Sequence, residues 1–146
     1  AGHSSFGVMS LIDDVTYHSI DICQYPHTEV CASKLTDMFP ERFKFTKLDS
    51  KDLDIDAMSV YDMVFIDGDH RPGPAALDVQ KCNQAGVEWI LIDDYEYIWF
   101  PQLTKLINHY INSSRFPYVL DSIHEYDCVD GWKGVGKMVL LKRDSK

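Results

Sequence analysis

An alternating α/β fold, with a mostly parallel sheet and an antiparallel pair at one edge, is predicted by three features of this sequence. Short apolar runs end abruptly in acid: Met63 to Ile66 is followed by Asp67 and Asp69, and Ile90 to Ile92 by Asp93 and Asp94. Buried strands of a parallel sheet read as such continuous apolar runs. Helix-like and strand-like patterns alternate as far as residue 112, as βαβ units require. Two strand patterns then follow one another, which suits an antiparallel addition at a sheet edge.

The elements fall in order along the chain. Ser4 or Ser5 caps a helix over 6–12, and the alternating, β-branched stretch 16–22 is a strand ending at Asp21. A helix over 28–39 places Val30, Leu35 and Met38 near helical spacing and stops before Pro40. Residues 42–48 alternate Phe43, Phe45 and Lys47 as a second strand that ends at Asp49-Ser50. The third strand is 61–66, and the helix 74–85 stops at Gly86. Strand 87–92 precedes a helix over 100–112 that bears Leu103, Leu106, Ile107 and Tyr110. Strands 118–123 and 137–142 close the chain, with Asp130-Gly131 as a turn.

A chain of 146 residues fits a single domain, 1–146, with one sizeable core. Fourteen basic against twenty-three acidic residues leave a charge of −9. Such a surface repels phosphate backbones and anionic lipid, so neither nucleic acid nor membrane is an expected partner. The cysteines at 23, 31, 82 and 128 form no CxxC pair, and Cys23 and Cys82 lie in or beside apolar segments. A reduced, cytoplasmic setting is therefore expected. No apolar stretch reaches the roughly 18 residues of a membrane span, and no secretory signal is read before the domain.

The acids at the strand ends are the candidate site. Asp67 and Asp93 are separated by 26 positions, room for one helical crossover and a return strand, so the two tips should be neighbours. Carboxylates gathered there repel one another unless a cation lies among them or a proton is to be removed. Asp67, Asp93 and Asp94 offer hard oxygens to Mg²⁺, while Asp69 and His70 are placed to act as, or to orient, a general base. Asp21 ends its strand as an acid that bonds a ribose diol does. Gly2-His3-Ser4-Ser5, at a helix start, can present N–H groups to an anion. Asp49-Ser50 either lies beside an adenine or is a simple turn. Tyr95, Tyr97 and Trp99 either wall a substrate pocket or pack on the sheet. His18, His109 and His124 lack ligand-spaced neighbours and read as filler.

These segments resemble a known family. Gly2-His3-Ser4-Ser5, Ser19-Ile20-Asp21, Leu48-Asp49-Ser50, Phe65-Ile66-Asp67-Gly68-Asp69-His70 and Ile92-Asp93-Asp94-Tyr95 fall in the order seen in class I S-adenosylmethionine-dependent methyltransferases. The sequence is most similar to the metal-dependent small-molecule O-methyltransferases, in the family-24 and macrocin and novobiocin sugar O-methyltransferase branch, over roughly residues 2–100. The resemblance implies a three-layer Rossmann-like sandwich and methyl transfer from S-adenosylmethionine to a hydroxyl of a small molecule. It implies Mg²⁺ on Asp67, Asp93 and Asp94, and Asp69 as base. Gly2, His3, Ser4, Ser5, Asp21, Asp49, Ser50 and Asp67 would serve the cofactor. The family also places a hydrophobic strand before the Gly-His-Ser-Ser segment, whereas this sequence begins at Ala1. Either the chain is an N-terminally truncated domain or its sheet closes the gap in another way; open sheet edges would invite pairing with another chain. Two rivals remain. Hydrophobic-Asp-x-Asp also opens haloacid dehalogenase-type phosphatases, but their Ser/Thr and Lys motifs have no room between Asp67 and Asp93. A non-catalytic binding or assembly domain on the same fold is the other.

Overall fold

The computed structural model describes residues 3–127 and 135–144; Gly2, Cys128 and the Asp130-Gly131 turn lie outside them. Contacts divide the chain into two compact units, residues 1–53 and 54–146.

In the first unit, α1 (His3–Leu11), β1 (Tyr17–Asp21), α2 (His27–Met38) and β2 (Phe43–Lys47) are followed by a short 3₁₀ turn, Ser50–Asp52. β1 and β2 pair in parallel, from Tyr17 opposite Phe43 to Asp21 opposite Lys47. Met9, Ala32, Leu35 and Phe43 form the buried core, with Val15, Tyr17, Phe39 and Phe45 packed against it. On α2 the buried positions are Thr28, Ala32 and Leu35, spaced i, i+4, i+7. The expected face was misjudged, because Val30 and Met38 are exposed and only Leu35 of that trio turns inward. Size misled the reading: small Thr28 and Ala32 allow close approach to the strands. Arg42 closes α1, its guanidinium donating to the carbonyls of Met9 (3.2 Å), Ile12 (2.9 Å) and Asp13 (2.6 Å). These are acceptors that a helix end leaves without partners.

In the second unit, α3 (Ile55–Met58) starts at Asp54, whose carboxylate accepts from the Asp56 N–H. β3 (Met63–Ile66), α4 (Pro72–Ala85), β4 (Trp89–Ile92), α5 (Pro101–Ile111), β5 (Tyr118–Asp127) and β6 (Val135–Arg143) follow. Pro72 suits the first helical position, where no N–H is needed. Gly86 stops α4 at φ 76°, a left-handed conformation that a Cβ disfavours. The strand order is β3-β4-β6-β5, with β3 and β4 parallel and the last two pairings antiparallel. Buried Ile66, Ile90, Ile92, Val139 and Leu141 from the strands join Val79, Cys82, Leu103 and Ile107 from α4 and α5. Each such side chain contributes about 1.5–3 kcal/mol on burial. Tyr118 is buried too, its hydroxyl donating to the Val87 carbonyl at 2.5 Å. Asp121 is an extra residue in β5: Leu120 faces Leu141 and Ser122 faces Leu140, which makes a β-bulge.

The α/β class holds, with the antiparallel pair where it was expected. The described strands form a two-stranded and a four-stranded sheet, in which β1 bonds only β2 and β3 bonds only β4. No helix among the described residues is long and apolar enough to cross a membrane.

Candidate functional site

In the second unit, the tips of β3 and β4 are neighbours, as their parallel register demands. The Asp93 N–H donates to the Ile66 carbonyl at 3.1 Å, tying one tip to the other. Asp94 follows at φ 55°, a left-handed conformation uncommon for a residue with a side chain. Strain of this kind is held in place by its surroundings and gathers at functional sites.

His70 lies in the middle of the acids. Its Nδ1 is 2.9 Å from Asp94 Oδ2, and its Nε2 is 4.0 Å from Asp67 Oδ1. Nε2 is buried without a hydrogen bond among the described residues, and the ring meets Phe100 edge-on at 4.7 Å. Burial by itself would lower the His70 pKa, but Asp94, Asp67 and Asp93 outweigh it and raise the pKa above the usual histidine value. Asp93 Oδ1 accepts from the Tyr126 hydroxyl (2.6 Å) and the Asp94 N–H (2.8 Å).

Asp67 meets Asp93 in carboxyl–carboxyl contact. Nearly half of its side chain stays accessible, yet partial burial of the carboxyl group and then the charge of Asp93 push its pKa up to about 6. Asp69 stands apart from this cluster. Both its oxygens are held by the Arg71 guanidinium, and Oδ1 also accepts the Arg71 N–H at 3.0 Å, so its pKa falls below the usual carboxylate range. It shapes the turn into α4.

The expected Mg²⁺ site is not matched by these donors. Among the described residues no group of three or more His, Cys, Asp or Glu is arranged to hold a metal ion. Asp94 Oδ2 is committed to His70, and Asp93 Oδ1 already takes two hydrogen bonds.

In the first unit, Asp21 ends β1 and Asp49-Ser50 follows β2, so both lie at the carboxyl end of one parallel pair. Asp21 Oδ1 accepts the Cys23 N–H at 2.5 Å. Asp49 accepts the Lys51 N–H and pairs with its ammonium at 2.8 Å. Ser5 is buried and Ser4 exposed at the start of α1. His3 opens the same helix.

Tyr95 is core: buried, its hydroxyl donates to Asn108 Oδ1 at 2.9 Å, whereas Trp99 is exposed. Phe100, which touches His70, and Tyr126, which holds Asp93, were missed from sequence. Phe100 had a weak signal in its position just beyond the acidic pair. Tyr126 had none, lying 33 positions from its partner.

No family model and no curated protein matches the sequence. Solved structures do. A candidate rRNA methylase from Clostridium thermocellum aligns with TM-score 0.63 at 16% identity, over 97% of this chain and 83% of that one. An rRNA methylase from Streptococcus thermophilus aligns with TM-score 0.60 at 11% identity, over 99% and 81%. A candidate methyltransferase from Thermoplasma acidophilum gives 0.60 at 11%, over 97% and 63%. This is the Rossmann-like methyltransferase fold. The likenesses also correct one expectation. Two of these similar structures are rRNA methylases, so the exclusion of nucleic acid on charge alone does not stand. Net charge is a sum, and it does not describe the groove that a substrate meets.

Proposed function

We propose that this chain carries out S-adenosylmethionine-dependent methyl transfer to a hydroxyl of a small molecule, with Asp67 taking the hydroxyl proton. The observation that carries the reading is the cluster of Asp67, Asp93, His70 and Asp94 at two adjacent parallel strand tips, where α/β sheets bind ligands. S-adenosylmethionine, when bound, supplies a methyl group made electrophilic by its sulfonium sulfur. In the first unit, Asp21, with an Oδ2 that has no hydrogen bond among the described residues, would bind a ribose hydroxyl, and Asp49 and Ser50, after the next strand, would meet the adenine. Gly2, His3, Ser4 and Ser5 complete that proposed set.

In the second unit, Asp67 is the accessible member of the cluster, and a pKa of about 6 suits a general base near neutral pH. His70 Nε2 is buried and cannot itself meet a substrate, so His70 stands behind Asp67, oriented through Nδ1 by Asp94. Asp67 would take the acceptor hydroxyl's proton as that oxygen attacks the methyl carbon in line, the carbon–sulfur bond breaking to release S-adenosylhomocysteine as the carbon–oxygen bond forms. Asp69, neutralised by Arg71, has no proton role in this scheme. A reducing compartment such as the cytoplasm is part of the reading, supported by free thiols at Cys23, Cys31 and Cys82.

A second reading, an RNA hydroxyl or base as acceptor, is favoured by the names of two similar structures. Calorimetric titration with S-adenosylhomocysteine, followed by transfer of labelled methyl to a panel of small polyols and catechols and to structured RNA, separates these. Micromolar binding with label in the small molecules supports the reading. Label in RNA alone replaces it with the second, and no binding at millimolar cofactor by folded protein returns the chain to a non-catalytic domain.

A further inference from the structure

We infer that Tyr126 is a positioning residue of the strand-tip site, laid across β6 over Gly136 so that its hydroxyl fixes the Asp93 carboxylate. The inference rests on the proposed reading for its catalytic consequence, and on geometry alone for the contact.

Tyr126 belongs to β5, which is separated from β4 by β6. Neighbouring strands lie about 4.8 Å apart, so a β5 side chain reaches the β4 tip only by crossing roughly 10 Å over the intervening strand. Any side chain on β6 at the crossing point blocks that path. The residue paired with Tyr126 is Gly136. A Cβ built there would overlap Cζ and Cε2 of the Tyr126 ring and lie 2.7 Å from its hydroxyl oxygen. The absent side chain is thus the condition for the crossing, and the hydroxyl arrives 2.6 Å from Asp93 Oδ1.

Asp93 is in turn the carboxyl group against Asp67. With the Asp94 N–H, the tyrosine gives Asp93 Oδ1 two donors and holds that carboxylate in one orientation. A hydrogen bond to a charged acceptor is among the stronger ones in a protein. Its loss leaves Asp93 Oδ1 with the Asp94 N–H alone, and Asp67 with a neighbour less firmly oriented. Because the atoms crowding Gly136 are the far end of one side chain, an alanine there pushes the ring aside and leaves the strand in place.

The test compares Tyr126→Phe, Gly136→Ala and the double variant in the full chain, with Val135→Ala as a control on the same strand. Carboxyl ¹³C resonances of Asp93 and Asp67, at one fixed pH, read the contact without needing activity. Both single variants should move the two resonances in the same sense, and the double variant no further. Where methyl transfer is measurable, kcat should fall roughly tenfold or more while affinity for S-adenosylhomocysteine stays within twofold. Tyr126→Phe removes only the hydroxyl and decides the matter should Gly136→Ala fail to fold. Unmoved Asp93 and Asp67 resonances in folded Tyr126→Phe overturn the inference, as does an unchanged kcat in an active enzyme. Absence of cofactor binding in every form sinks the proposed function instead, and the resonances still decide the contact.

Discussion

Asp67 is a carboxylate kept in company it would avoid in water. Its folded pKa of about 6, against 3.8 for an unperturbed aspartate, means that ionisation at neutral pH costs the folded state. Asp67→Asn should therefore stabilise the protein at pH 7.5, by roughly 1 kcal/mol once solvent screening of this half-accessible group is allowed for. The same change should abolish methyl transfer. Urea melts at pH 7.5 check the first half, and a destabilised variant would count against it. Asp69→Asn should do neither, since that acid serves an exposed turn. The acids themselves were legible in the sequence because each ends an apolar run, a purely local signal. Their division of labour was not. Only the fold reveals that Arg71 occupies Asp69, or that His70 points one nitrogen at Asp94 and the other at Asp67.

Helix ends carry much of the element-scale specification. Arg42 lies just before β2 and holds carbonyls at the end of α1, joining the two elements. Arg42→Ala should lower stability by about 1.5–3 kcal/mol, the usual worth of hydrogen bonds to a charged group. Arg42→Lys, with one donor centre, should recover only part of it. Gly86→Ala should cost about 1 kcal/mol through its left-handed backbone, and chemical denaturation with an unchanged m-value would verify both. The strands were readable from their runs of β-branched and aromatic residues, and α5 from Leu103 and Ile107 on one stripe. The four-residue α3 was not, for so short a helix has no periodicity and is announced only by its Asp54 cap. Nor was the inward face of α2, where small residues pack and larger Val30 and Met38 stay outside. Sequence patterns reward apolar bulk, whereas close packing of a helix on strands can favour its absence.

At the scale of the molecule, proton balance sets the response to pH. His70 and Asp67 both have folded pKa values raised above their unfolded ones, so at these two groups the folded state binds more protons than the unfolded chain, while His18, whose pKa burial lowers, opposes them as a single group. The His70 contribution is fully present below its unfolded value near 6.5 and is lost as pH rises through the folded pKa. The Asp67 penalty is present above about 6 and fades between there and 3.8. Stability should accordingly increase as pH falls from 8 toward 5. Denaturation midpoints across that window test it; a midpoint that rises with pH would refute the assignment, and Asp67→Asn combined with His70→Gln should remove the gain at low pH, leaving the opposite slope of His18. The bulge at Asp121 has a bearing on solution behaviour. β5 is an outer strand that exposes Val119, Leu120 and Ile123. A straight strand of that composition is a template for amyloid-like stacking. The surplus acidic residue kinks the hydrogen-bonding row and sets a charge in it, acting as a gatekeeper. Deleting Asp121 should restore a regular ladder and, for the same fold, yield a protein that precipitates on concentration.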